Sequence, residues 1–341
     1  FLFGIACLAN QIPISISANP DIFEGANSGI LISDFLNFGV FPNVEHYGGH
    51  MMTGVWEGIL YGIINRDFTS AFVSPYSSLL VPVLCVLFYC LVKRIWNDTI
   101  AFFSVLLFPF YSFWSYYGLG MLVCLAVMAY IRKHTYGRAA LMWGAFIWCA
   151  FYRLDLGFAY GVALVFSMTV YCFTEKDRIA AKQLGITLAV WTFLGTIVWC
   201  FLCIGKGIHP ISRLLEFLVV NLSNQNWGRA GIGDMSVTLF CWAYIVVPFS
   251  VIVALVYVVF SRELKERIGL EKWVLLQLFG WCYFGNFSRG LVRHSLAETA
   301  TTVVIWCGYL FLAMVFCCYR KNGKIFFPSF FILILCNTVF V

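Results

Sequence analysis

Residues 19–50, NPDIFEGANSGILISDFLNFGVFPNVEHYGGH, hold Asp21, Glu24, Asp34, Glu45, His46 and His50 inside a chain that is 62% hydrophobic. Carboxylates and imidazoles take and return protons near neutral pH. A carboxylate in hydrogen-bond reach of a hydroxyl can accept its proton while that oxygen attacks a carbon centre. Asp21 and Glu24 are the first candidates, with Glu24 ahead because it opens the polar turn EGANSG. The plain alternative for either is a helix cap or a loop hydrogen bond. His46 and His50 flank Tyr-Gly-Gly. An H-x-x-x-H pair binds zinc when it lies on one helical face, but two glycines disfavour a helix there. Glu45 beside His46 allows a divalent-cation site with Asp21 or Glu24. Hydrogen bonding to a sugar or a phosphate is the stronger use for Glu45, His46 and His50.

Three other stretches carry candidates. In FYRLDLG (151–157), Arg153 and Asp155 stand where two apolar runs meet. An ionisable pair there is costly unless it is paired or faces a cavity. In NFSRGLVRHSLAE (286–298), Arg289 and Arg293 are four apart and would share one face of a helix, with His294 beside them. A guanidinium pair in that spacing suits a phosphate; interhelical salt bridging is the alternative. The 205–235 stretch contains NLSNQNWGRAGIGD, where Trp227 offers a face for sugar stacking and the glycines allow a mobile lid. RAGIGD is no nucleotide fingerprint, because no strand precedes it.

These residues need elements to hold them, and the composition says which. Charged residues are 11% of the chain and mean hydropathy is +0.87, against about 25% charged in soluble domains. Apolar runs near bilayer length predict a polytopic all-α membrane bundle of about eleven transmembrane helices across residues 1–341. They fall near 1–14, 75–92, 99–114, 116–131, 139–152, 156–173, 183–204, 236–260, 273–285, 301–318 and 326–341. The net charge of +6 belongs to short loops rather than to a nucleic-acid surface. Of the 22 Lys and Arg, 15 fall in one set of alternate loops: 93–94, 132–138, 176–182, 262–272 and 320–324. By the positive-inside rule these are the inner loops. The outer set holds the remaining 7, namely Arg66, Arg153, Lys206, Arg213, Arg229, Arg289 and Arg293, together with ten of the 16 acids. Acids, histidines, Arg and aromatics mixed on one side compose a reactive or recognition face. Outer loops packed on one another are the alternative. The 14 cysteines lie mostly inside apolar runs and read as small hydrophobes, Cys200 and Cys203 included. A start without Met and an end inside an apolar run predict a piece of a longer membrane protein, set in the cytoplasmic membrane.

The first outer loop, 15–74, predicts two interfacial helices. In NSGILISDFLNF, Ile30, Leu31, Phe35 and Phe38 recur at helical spacing, and Gly39 and Pro42 close the run. MMTGVWEGILYGII is the second. A first span, an early acid, a helix along the membrane, a polar loop and a second such helix resemble the GT-C superfamily of membrane glycosyltransferases. The pattern is similar to that of bacterial members related to the protein mannosyltransferases and lipid A aminoarabinose transferases. In place of that family's adjacent Asp-Glu pair and proline-rich second motif, this chain has DIFE and EHYGGH. The resemblance implies a polyprenyl-phosphate sugar donor, a glycan, lipid or protein acceptor, and an active site on the extracytoplasmic face among membrane lipids. It also implies an early acid, Asp21 or Glu24, at the reacting centre. An inverting single displacement needs one base, and the leaving phosphate needs Arg nearby, which gives roles to Arg153, Arg289 and Arg293. Two other functions fit the same residues: a flippase or carrier for lipid-linked saccharides, and an O-antigen-type polymerase or ligase.

Overall fold

The apolar runs fold as helices in a computed structural model that describes residues 22–48, 51–65, 75–107, 118–224, 236–287 and 304–319. In chain order these are α1 (Ile22–Phe38), α2 (Val55–Asn65), α3 (Pro75–Ile95), α4 (Asp98–Leu107), α5 (Gly120–Arg132) and α6 (Tyr136–Tyr152). There follow α7 (Leu154–Glu175), α8 (Arg178–Gly205), α9 (Pro210–Asn224) and α10 (Val237–Phe260). The last three are α11 (Arg262–Ile268), α12 (Leu270–Phe287) and α13 (Cys307–Tyr319). Among the described residues the one β-type pairing is an isolated bridge between Pro42 and His46.

Three of these helices are long and apolar enough to cross a membrane: α7 with 22 residues, α8 with 28 and α10 with 24. At 1.5 Å per residue they measure about 33, 42 and 36 Å, against a hydrocarbon core of about 30 Å. α10 contains a π-helical turn, Trp242–Val246, just before Pro248. The proline ring crowds the carbonyl one turn back, and widening that turn relieves it.

Contacts divide the chain into two compact units. The first comprises Phe1–Leu122, Ile147–Leu154 and Val190–Asn221. In it α1 buries Leu31 and Ile32, with Phe35 and Leu36 partly covered, against Met52, Val55 and Ile59. The buried stripe therefore differs from the expected one: Ile30 and Phe38 face outward, at 48% and 77% exposure. Ile30 sits one position, about 100°, from Leu31 around the helix, so facing α2 with Leu31 and Ile32 turns Ile30 away. α1 ends at Gly39, whose φ of +66° suits glycine and whose N–H reaches the Phe35 carbonyl at 3.0 Å. The start of α2 is tied to the end of α6. The Met52 N–H and the Thr53 hydroxyl both donate to the Tyr152 carbonyl, each at 3.2 Å. Asn97 caps α4, accepting from the Ile100 N–H at 2.9 Å.

The second unit comprises Val123–Phe146, Asp155–Ala189 and Leu222–Val341. Gly285 of α12 meets α7 so closely that a Cβ there would lie 2.4 Å from the Ala159 Cα. Small residues at such a crossing let two backbones approach. Buried aromatics spend their polar atoms on backbone carbonyls. The Trp273 indole N–H donates to Val258 O at 2.7 Å, and the Tyr130 hydroxyl to Ala180 O at 3.2 Å. Inner-set charges tie the helix ends. Arg132 grips Glu271 through two bonds of 2.9 and 3.2 Å, Lys265 pairs with Glu175, and Arg267 pairs with Glu263.

Candidate functional site

The polar loop after α1 closes on itself first. Asn43 takes the left-handed conformation, with φ of +62°, and its N–H donates to the His46 carbonyl at 2.7 Å. Asn is among the few side chains that accept this conformation. The Glu45 carboxylate folds back to accept from the Phe41 N–H at 2.8 Å. A turn so closed holds Glu45, His46 and Tyr47 in fixed directions.

Each of those three side chains then finds a partner. His46 Nδ1 lies 2.6 Å from Asp34 Oδ2 on α1. Asp34 is twelve residues back in sequence, and the αL stop at Gly39 turns the chain so that the two meet. The Glu45 carboxylate pairs with Lys206 Nζ at 2.8 Å, and the same ammonium donates to the Gly39 carbonyl at 2.8 Å. Tyr47 lies under the Arg213 guanidinium, 3.9 Å from ring centroid to Cζ, which is cation–π geometry.

Arg213, in the first turn of α9, is the fastener. Its Nε donates to the Val44 carbonyl, its Nη2 to the Glu45 carbonyl at 2.6 Å and its Nη1 to Glu216 at 2.9 Å. All five donors of a guanidinium lie in one plane, so a single Arg can hold two successive carbonyls and a carboxylate. The Lys206 ammonium, then the Phe41 N–H, hold the Glu45 carboxyl below its usual range. Burial pushes the Tyr47 hydroxyl up.

Asp34, Glu45, His46, Lys206, Arg213 and Glu216 all belong to the outer set of the sequence reading, and they pair with one another here. The pairs Arg132–Glu271, Lys265–Glu175, His134–Asp177 and Lys93–Asp98 join inner-set residues in the same way. Charge partners thus sort as the loop alternation does.

The predicted site residues fare unevenly. His46 and Glu45 sit in the cluster, but Glu45 is engaged by Lys206 and Phe41 and serves to hold the loop. His46 keeps Nε2 without a partner among the described residues, and its side chain is 47% exposed. Glu24 is the third residue of α1. It precedes Asp34 by ten residues, about 15 Å of helix rise, so the two mark opposite ends of α1. Arg153 is buried, 6% exposed, at the break between α6 and α7. Its neighbour Tyr152 holds Met52 and Thr53, which brings FYR beside the end of the first polar loop. Asp21, His50, Trp227, Arg289, Arg293 and His294 lie outside the described residues. Among the described residues no three His, Cys, Asp or Glu converge as a metal-binding group. The sequence reading gave no role to Asp34, Tyr47, Lys206, Arg213 or Glu216. One signal was present: Lys206 and Arg213, like Arg289 and Arg293, are positives on the side the positive-inside rule disfavours. Compared with protein-family models, curated proteins and solved structures, the chain matches none.

Proposed function

We propose that this chain is an integral membrane glycosyltransferase that passes a sugar from a polyprenyl-phosphate carrier to a hydroxyl acceptor at the outer-set face. The observation that carries the reading is the His46–Asp34 pair, 2.6 Å apart with the second imidazole nitrogen open. A carboxylate that orients one ring nitrogen leaves the other directed for general-base work. The acceptor hydroxyl gives its proton to His46 Nε2 as its oxygen bonds to the sugar's anomeric carbon. The bond from that carbon to the carrier phosphate breaks, and the electron pair leaves on the phosphate. Lys206 and Arg213 are occupied in holding the loop; the leaving phosphate needs Arg nearby, and the sequence offers Arg153 and the Arg289–Arg293 segment for it. Glu24 remains the alternative base, as the family resemblance implies. Its distance along α1 means that Glu24 and His46 would not share one proton.

A second reading has its own support. Gln277 is fully buried midway along α12, and neither its amide oxygen nor its nitrogen has a partner among the described residues. A polar group inside a membrane helix marks a substrate path in carriers. That reading is a flippase for lipid-linked saccharide.

The test is sugar transfer from a radiolabelled polyprenyl-phosphate sugar pool in membranes, comparing the parent with His46→Ala, Asp34→Asn and Glu24→Gln. Transfer by the parent and its loss in the first two variants at equal expression supports the dyad. Loss only in Glu24→Gln moves the base to Glu24. No transfer by the parent, with movement of lipid-linked saccharide across vesicles, sinks the transferase and leaves the carrier.

A further inference from the structure

In the second unit a cavity of about 650 Å³ lies between α7 and α8, with Trp143 of α6 at its floor. Its floor residues Trp143, Met168 and Leu184 are buried, and its walls Val165, Phe173 and Leu188 are open. The Trp143 indole spends its one donor on the Leu184 carbonyl at 3.1 Å and so turns an apolar ring to the cavity. Apart from the exposed Thr169 and the Cys172 thiol, the lining below the charged turn is apolar, with little to orient a sugar or a nucleotide. It suits a flexible hydrocarbon chain, and its volume is within the usual range of ligand pockets, about 300–1,000 Å³.

The mouth has the opposite chemistry. It is the turn Glu175-Lys176-Asp177-Arg178 between the two helices. Both carboxylates there are engaged elsewhere. Glu175 pairs with Lys265. Asp177 accepts from the Ala180 N–H at 2.8 Å, lies 3.1 Å from His134 and accepts from the Tyr171 hydroxyl at 3.4 Å. Lys176 and Arg178 have no carboxylate partner among the described residues. Lys176 holds a left-handed φ of +52°, a conformation a lysine does not choose for itself. Two uncompensated cations thus stand over the end of an apolar cavity.

We propose that this groove binds an anionic glycerophospholipid, one acyl chain in the cavity and the phosphate on Lys176 and Arg178. Both cations belong to the loops that the Lys and Arg distribution places on the inner side, where the leaflet carries anionic lipid. The site rests on these helices crossing a bilayer and not on the transfer reaction, so it stands or falls separately from the glycosyltransferase reading.

Native mass spectrometry of the full chain in detergent tests it, with phosphatidylglycerol and phosphatidylcholine of matched acyl chains. One phosphatidylglycerol should be retained on the order of tenfold better than phosphatidylcholine. Lys176→Gly removes a charge while suiting the left-handed backbone, so it cannot fail through strain. Together with Arg178→Gln it should bring retention down to the phosphatidylcholine level. Thr169→Trp fills the groove with both charges intact and should lower retention of both lipids. Lys272→Ala, an exposed inner-set lysine away from the groove, should change nothing. Equal retention of the two lipids by the parent means ordinary annular contact and overturns the site. So does undiminished phosphatidylglycerol binding in either the charge or the groove variant, which would place the lipid elsewhere on the chain.

Discussion

At the scale of single residues, the first polar loop separates two jobs that its composition had mixed. Glu45 and Arg213 hold the loop, and His46, paired with Asp34 through Nδ1, keeps Nε2 open. If His46 is the base, Asp34→Asn should lower kcat by about 10²-fold with KM little changed, since general-base terms are worth about 10²–10⁴ and Asp34 touches only the imidazole. Steady-state kinetics on purified enzyme decides this, and an unchanged kcat would return Asp34 to a structural role. Glu45 gives a pH prediction. Its folded carboxyl lies below the ordinary value of 4.5, so its contribution to stability is complete above that value and is lost as pH falls through the folded one. The pair with Lys206 is partly solvated, which limits it to about 0.5–1 kcal/mol. Corrected for the fall of the intrinsic exchange rate toward acid, the protection of residues 39–48 should therefore drop between pH 6 and pH 3 in the parent and show little such change in Glu45→Gln.

At the scale of elements, the α7–α12 crossing depends on Gly285. A branched side chain there would occupy the space of the Ala159 backbone, and backbone cannot swing aside as a side chain does. Gly285→Val should destabilise by about 2–3 kcal/mol, read as a lowered unfolding temperature in detergent, while Gly185→Val, at a position with open space around it, should not. The helix ends were legible in the sequence where a local device sets them. Gly39 stops α1 and Asn97 starts α4 through bonds within a few residues. The buried stripe of α1 was not legible in full. Ile30 and Ile32 are the same residue type, and only the position of α2 decides that Ile32 is covered and Ile30 is not.

At the scale of the whole molecule, the sorting of charge partners ties the loop alternation to the proposed membrane topology. Outer-set residues near 34–47 and 206–216 meet, and inner-set residues near 132–134, 175–177 and 263–271 meet. If the loop alternation reflects the membrane topology, cysteines placed at one outer-set and one inner-set position react from opposite sides. In intact cells a membrane-impermeant maleimide should label Ser212→Cys but not Lys272→Cys, in a background whose native cysteines are replaced. Labelling of both, or of Lys272→Cys alone, would invert or cancel the assigned orientation.

Apolar runs broken by basic turns predicted, from the sequence alone, a helical membrane chain of about eleven spans; the described residues are helical, and three of their helices are long and apolar enough to cross a bilayer. Hydrophobicity and turn chemistry act over one helix or one loop, and so they can be read in order along the chain. The site was another matter. Asp21 and Glu24 stood out as early acids of the first polar loop, a local feature, whereas Asp34 and His46 are twelve apart and Glu45 and Lys206 are 161 apart. Ion pairs form through space, over a few ångströms, and a linear pattern carries no record of which distant charges fold to that range. Among the described outer charges, only the tertiary structure shows that Asp34, Glu45, Lys206 and Arg213 are engaged while His46 Nε2 stays open.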